Sequence, residues 1–146
     1  MTPLLTCIYN ESQIKDFSLQ IYNYIIQNHI NIIFLKGDVG SGKTTFIKHL
    51  LKTLDPELNV TSPTYTYVNE YNIKDKYIWH FDLYRIDNKA ELIDLGIIDY
   101  LNREDGLAFI EWPEKCPDLQ IQRYKKIILH FFHIENKNER ACVVSL

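Results

Sequence analysis

Asn31-Ile32-Ile33-Phe34-Leu35-Lys36, followed by Gly37-Asp38-Val39-Gly40-Ser41-Gly42-Lys43-Thr44-Thr45, is the stretch on which the fold turns. Its first six residues form a short apolar run rich in β-branched side chains, which reads as a buried parallel strand. From Thr44 onward Phe46, Ile47, Leu50, Leu51 and Leu54 share one helical face, and Asp55-Pro56 stops that helix. The residues between match G-x-x-x-x-G-K-[ST] in the strand, loop, helix context that a phosphate-binding loop requires. Glycines let backbone N–H groups turn inward around phosphate oxygens, where a side chain would collide, and the helix start adds its positive end. Lys43 is then a mobile charge for the β- and γ-phosphates, and the Thr44 hydroxyl stands where a Mg²⁺ ligand is needed. The motif leaves open which nucleotide is bound and whether it is hydrolysed.

Outward from the loop, Asn10 to Asn28 carries Ile14, Phe17, Ile21 and Ile25 at helical spacing, with Asn10 and Gln13 spaced as a capping box. Between Val60 and Asp82 the pattern becomes extended: YTYVNEY and KYIWHFD flank the polar turn NIKDK, which predicts an antiparallel hairpin. Lys89 to Tyr100 predicts one or two short helices broken at Gly96. Leu107 to Trp112 (LAFIEW) reads as another buried strand, and KKIILHFFHI and ERACVVSL as two more around Glu135-Asn136-Lys137-Asn138. The expected architecture is a single domain over residues 1–146, an α/β phosphate-loop NTPase. Its mainly parallel sheet is flanked by helices and extended by antiparallel strands from the 65–82 and 125–145 regions. Strand order is not readable.

A phosphate loop needs an acid at the end of a neighbouring strand to hold Mg²⁺ directly or through water, and Glu111 after Leu107-Ala108-Phe109-Ile110 is the comparable position. A solvated acid leading into Trp112-Pro113 is the plainer alternative. Asp82 ends KYIWHFD, and alternation puts Ile78, His80 and Asp82 on one face and Tyr77, Trp79 and Phe81 on the other. Residues alone leave Asp82 either orienting an attacking water or capping a turn, and they mark His80 as structural. Ser62-Pro63-Thr64-Tyr65-Thr66 lies where such proteins often carry a segment that senses the γ-phosphate, so Thr64 is either that sensor or part of a loop entering the hairpin. Arg85 is a charge stabiliser or a solvated surface group. Asn88-Lys89-Ala90-Glu91 and Asn136-Lys137-Asn138-Glu139 approach the guanine-reading N-K-x-D, but both end in Glu and no D-x-x-G occurs, which leaves GTP unsupported.

Lys plus Arg number 16 against 19 Asp plus Glu, a formal charge of -3 that lacks the basic footprint of unaided nucleic-acid binding. Hydrophobic residues at 46% fit a globular chain. No apolar run approaches membrane-spanning length and MTPLLTCIYNESQ lacks a signal pattern, so the expectation is a cytoplasmic protein without a membrane. Cys7, Cys116 and Cys142 lie far apart, with no zinc spacing, and read as reduced thiols.

GDVGSGKTT, SPTYTYVNEY, HFDLYR and FIEWPE, in this order, resemble the TsaE (YjeE) family, bacterial ATPases of tRNA threonylcarbamoyladenosine biosynthesis. The resemblance runs from the first helix to near the C-terminus. It implies Gly40, Ser41, Gly42, Lys43, Thr44 and Thr45 around the phosphates of ATP or ADP, with Thr45 otherwise an ordinary helix residue. It further implies Thr44 and Glu111 at Mg²⁺, Asp82 as a catalytic acid group near the γ-phosphate, Thr64 as a switch-like residue and Trp112 as a neighbour of the site. TsaD and TsaB are the implied partners, which transfer the threonylcarbamoyl group to an adenosine beside the anticodon, so that tRNA is reached through the complex. The resemblance names no adenine-contacting residue.

The alternatives are a small metabolite kinase on the same loop and a nucleotide-gated binding module. Kinases of this kind commonly carry a lid with arginines, whereas Arg85, Arg103, Arg123 and Arg140 form no cluster in the sequence.

Overall fold

The computed structural model describes residues 3–120 and 125–146, and Arg123 lies outside them. Its elements run β1 (Pro3–Asn10), α1 (Ile14–Gln27), β2 (Ile32–Lys36), α2 (Lys43–Leu54), β3 (Val68–Ile73), β4 (Lys76–Asp82), α3 (Lys89–Leu95), α4 (Ile97–Leu101), β5 (Gly106–Glu111), β6 (Lys126–His133) and β7 (Glu139–Ser145). The seven strands form one mixed sheet in the order β1-β7-β6-β2-β5-β4-β3. β6, β2, β5 and β4 are mutually parallel, while β3 closes one edge antiparallel and β7 and β1 the other. The parallel core with antiparallel extensions is thus present, but its boundary falls inside the two hairpins. β4 and β6 belong to the core, and only their partners β3 and β7 extend it.

Local chemistry explains the elements. Ahead of α1 the Asn10 side chain accepts the Gln13 N–H at 3.2 Å while Gln13 accepts the Asn10 N–H at 3.0 Å, the reciprocal capping box. α1 and α2 bury Phe17, Ile21, Ile25, Phe46, Ile47 and Leu50 against Ile33, Leu35, Leu107 and Leu129 on one face of the sheet. The other face packs Phe34, Trp79, Phe81 and Ile110 beneath Leu92, Ile97 and Leu101 of α3 and α4. Lys74 and Asp75 both take positive φ, at 51° and 65°, the backbone twist of a tight hairpin turn between β3 and β4. Gly96 has φ +70° and breaks the helical stretch where expected. The β1 strand was not among the expected elements. Its one-sided burial suits an edge strand, with Tyr9 buried and Leu4 and Ile8 exposed.

Cys7 is half-buried, Cys116 and Cys142 are buried, and none forms a disulfide. Among the described residues no helix is long and apolar enough to cross a membrane.

Parallel pairing aligns the carboxyl ends of the central strands. Leu35 of β2 and Asp82 of β4 both pair with Glu111 of β5, so the loop after β2 rises beside two strand-terminal acids. Crevices outside the carboxyl ends of parallel strands are where α/β sheets bind ligands.

Candidate functional site

The loop from Gly37 to Gly42 is shaped by close approach. At Gly37, where φ is +140°, a Cβ would lie 2.6 Å from both the Phe131 carbonyl oxygen and Ser41 Oγ, so no side chain fits. Gly42, with φ +112°, is the N-cap of α2 and has no side chain to satisfy the first amides of that helix. Those amides and the helix dipole form an anion-attracting end. Lys43 folds back over this turn: its Nζ donates to the Gly37 and Asp38 carbonyls, the latter at 2.9 Å, and lies 4.4 Å from the centre of the Trp112 ring. Burial pushes the Lys43 ammonium below its ordinary range, although the Glu111 and Asp82 carboxylates oppose the shift.

Beneath the loop, the Thr44 hydroxyl donates to Glu111 at 2.8 Å from Oε1 and 3.0 Å from Oε2. Glu111 is 2% exposed, and its Oε2 also meets Nε2 of the fully buried His80 at 2.6 Å. A carboxylate this deep persists because partners reach it from α2 and from β4. Asp82 accepts the Tyr84 N–H at 3.0 Å, and desolvation raises its carboxyl above the ordinary range, with Glu111 adding to the shift and Tyr84 and His80 opposing it. Trp112 follows Glu111 with φ +59°, an uncommon conformation for a bulky residue of the kind that gathers at functional sites.

A cavity of about 280 Å³ gathers Gly40, Gly42, Lys43, Thr44, Thr45, Thr64, Asp82, Glu111 and Trp112, with Val39 and Tyr84 completing its wall. The residues expected at the site therefore converge, apart from Ser41, which is buried beneath Gly37 rather than lining the cavity. Thr45 is an exposed α2 residue on the rim. Thr64 shares a 2.8 Å hydrogen bond with Ser62, and Arg85 lies over the Tyr65 ring at 4.5 Å. On the other side of Gly40, Gly42 and Thr45 a larger cavity of about 570 Å³ opens against Tyr9, Asn10, Ser12, His49 and Arg140.

Two features escaped the sequence reading. Tyr84 walls the site, bonds Asp82 and packs on Trp112 with ring centres 4.9 Å apart, and its only signal is its place two residues after a strand-terminal Asp. His80, read as structural, touches Glu111 directly. Among the described residues the buried side-chain atoms without a partner are Tyr9 OH, Ser41 Oγ and His80 Nδ1. Tyr9 and Ser41 neighbour the loop glycines, and His80 neighbours the acid below them.

Residues 8–142 match the family of the threonylcarbamoyl adenosine biosynthesis protein TsaE. The tRNA threonylcarbamoyladenosine biosynthesis protein TsaE of Haemophilus influenzae is 41% identical over 118 residues, which cover 79% of this chain and 74% of that protein. Its counterpart in Rickettsia typhi is 30% identical over 136 residues, covering 92% of this chain and 90% of the relative. In fold the chain is similar to the crystal structure of Bacillus subtilis YdiB, at a TM-score of 0.66 and 23% identity, over 97% of this chain and 84% of that one.

Proposed function

The chain belongs to the TsaE family, and on that premise we propose that it is a Mg²⁺-dependent ATPase serving the threonylcarbamoyladenosine modification of tRNA. One observation carries the reading: the Thr44 hydroxyl at the start of α2 rests on the buried Glu111 carboxylate, with Lys43 and Asp82 in the same cavity. In this reading the loop amides and Lys43 hold the β- and γ-phosphates of ATP. Lys43 exchanges the carbonyls of Gly37 and Asp38 for phosphate oxygens, which restores full hydrogen bonding to an ammonium that burial disfavours. The 570 Å³ cavity beyond Gly40 has room for the base and ribose.

The donor set fits magnesium. Thr44 and Glu111 supply hard oxygens, and among the described residues no cluster of three or more His, Cys, Asp or Glu forms a closed metal cage. Mg²⁺ favours such sites, held by one or two protein oxygens together with waters and phosphates. When bound it neutralises charge on the transferring phosphoryl group. Asp82 orients the attacking water and Trp112 holds the Lys43 ammonium in place. Thr64 can leave Ser62 for the γ-phosphate, linking nucleotide state to the 62–66 loop. The partners are TsaD and TsaB homologues, which carry out the threonylcarbamoyl transfer and bring tRNA to the complex. A formal charge of -3 suits a chain that leaves RNA contact to others.

Depleting the protein and measuring the modified adenosine in tRNA tests the role. Wild type restores the modification and Lys43→Ala does not; rescue by Lys43→Ala overturns the reading. The isolated chain releases phosphate slowly from ATP in a Mg²⁺-dependent way, and turnover changes when TsaB and TsaD are added. Asp82→Asn separates an ATPase-driven cycle, which stalls, from a nucleotide-gated binding module, which still supports modification. A phosphorylated metabolite in place of free phosphate would favour the kinase alternative, for which the described arginines give little support, since none lines the 280 Å³ cavity.

A further inference from the structure

His80 sits on β4 with no exposed surface, between Ile78 and Asp82 on the face that α1 and α2 cover. Its Nε2 lies 2.6 Å from Glu111 Oε2, while its Nδ1 is buried without a hydrogen-bond partner. An apolar residue would cost less here, because a desolvated ring nitrogen with no partner opposes folding. The same strand shows that the fold accepts apolar residues at neighbouring positions: Ile78 on this face and Trp79 and Phe81 on the other are all buried. Something other than packing accounts for an imidazole at this point.

The contact geometry identifies what that is. His80 from β4 meets Glu111 Oε2 at 2.6 Å, while the Thr44 hydroxyl from α2 lies across both carboxylate oxygens, 2.8 Å from Oε1 and 3.0 Å from Oε2. A carboxylate held only by Thr44 can rotate about its terminal torsion, which is broad and roughly two-fold. With His80 fixing Oε2 as well, the two oxygens are no longer equivalent, so the carboxylate keeps one orientation and keeps the Thr44 proton directed at itself, which leaves the Thr44 lone pairs for a cation. We infer that His80 is a positioning residue for divalent cation binding, clamping Glu111 so that the Thr44 hydroxyl and the Glu111 carboxylate present their oxygens together. The inference rests on the proposed role of Thr44 and Glu111, and it adds an outer partner that orients the groups holding the metal.

The test measures metal binding rather than turnover. Mn²⁺ is titrated into the full-length chain with saturating ADP, and free Mn²⁺ is read by electron paramagnetic resonance. ADP affinity in EDTA is measured in parallel by calorimetry. His80→Gln places an amide N–H where Nε2 stands, whereas the shorter His80→Asn cannot reach Glu111. Expected is a loss of Mn²⁺ affinity of about tenfold or more in His80→Asn, the usual effect of removing an outer partner. His80→Gln stays close to wild type, and metal-free ADP affinity is unchanged in both. A merely structural histidine would move melting temperature and metal-free ADP affinity together, without a difference between Gln and Asn.

Wild-type Mn²⁺ affinity in His80→Asn, or equal losses in the two variants, overturns the inference. If Glu111→Ala itself leaves Mn²⁺ binding unchanged, the assignment of Glu111 fails instead, so the two failures are told apart. Should His80→Asn not fold, ¹⁵N spectra of the wild-type imidazole decide. The Nε2 signal moves when Mg²⁺ joins the ADP complex, and an unmoved signal overturns the inference.

Discussion

On the face that α1 and α2 cover, the apolar cluster gives way at one end to Lys43, His80, Asp82 and Glu111, all buried, while the face beneath α3 and α4 runs apolar through Phe34, Trp79, Phe81, Ala108 and Ile110. The same strands supply both. Alternation along β4 sends Trp79 and Phe81 to one side and His80 and Asp82 to the other, and β5 divides Ala108 and Ile110 from Glu111 in the same way. One face is therefore built for stability, and the other gives up some stability to hold charged groups where a ligand can reach them. Substitutions on the two faces should separate folding from chemistry.

The largest effect is expected on the apolar face. Trp79 is 1% exposed, donates its indole N–H to Glu70 at 2.8 Å, stacks on Tyr77 and meets Tyr100 edge to face. Trp79→Ala should cost about 3–5 kcal/mol in urea unfolding and leave the nucleotide affinity of the folded fraction unchanged. A variant of normal stability that no longer binds ATP would break the division. Next comes Lys43→Ala on the charged face, which should lower ATP turnover by roughly 10²–10³-fold, the scale of losing a preorganised charge, with melting temperature at or above wild type. Smaller again is Gly106→Ala. Gly106 has an ordinary backbone, but a Cβ there would lie 2.5 Å from the Trp79 ring and 2.8 Å from the Tyr77 carbonyl oxygen. Overpacking of this kind should destabilise by about 1–3 kcal/mol without changing ATP turnover per folded molecule.

How much of this was legible before folding follows the same division. Local signals carried the strand-loop-helix unit, the Asn10 capping box, the hairpin and the Gly96 break, because each is set by residues within a few positions of one another. The β1 strand was missed because its pairing is distant, Cys7 lying opposite Cys142, and because an edge strand with Leu4 and Ile8 outward lacks a clean alternation. The 65–71 segment was read as extended, yet the strand begins at Val68. Tyr67 takes φ +65° and its N–H closes a turn on the Pro63 carbonyl at 2.7 Å. At the site, Asp82 and Glu111 were legible because each ends an apolar run. That the two are register partners, and that His80 reaches Glu111, depends on the parallel pairing of β4 with β5, which no spacing encodes.

The smallest effect sharpens the comparison through pH. Burial raises the folded-state pKa of Asp82 above its unfolded value of 3.8, with burial the largest cause and Glu111 adding to it. A carboxyl raised in this way binds its proton more tightly when folded, so the stability it contributes is present below the unfolded pKa and is lost as pH rises through the folded pKa. Above that window the ionised Asp82 opposes folding, which is the reverse of the usual salt-bridged aspartate. Asp82→Asn removes the ionisation while leaving an oxygen to accept the Tyr84 N–H. At pH 7 the variant should melt above wild type, a stability gain smaller than the loss expected for Gly106→Ala. The gap should close as pH falls toward the ordinary carboxylate range, in contrast to Trp79→Ala, whose deficit should hardly vary with pH because no ionisable group is removed. Equal melting temperatures for Asp82→Asn and wild type at every pH would mean that the charged face costs the fold nothing at this position, and the contrast between the two faces would then rest on Lys43 and Glu111 alone.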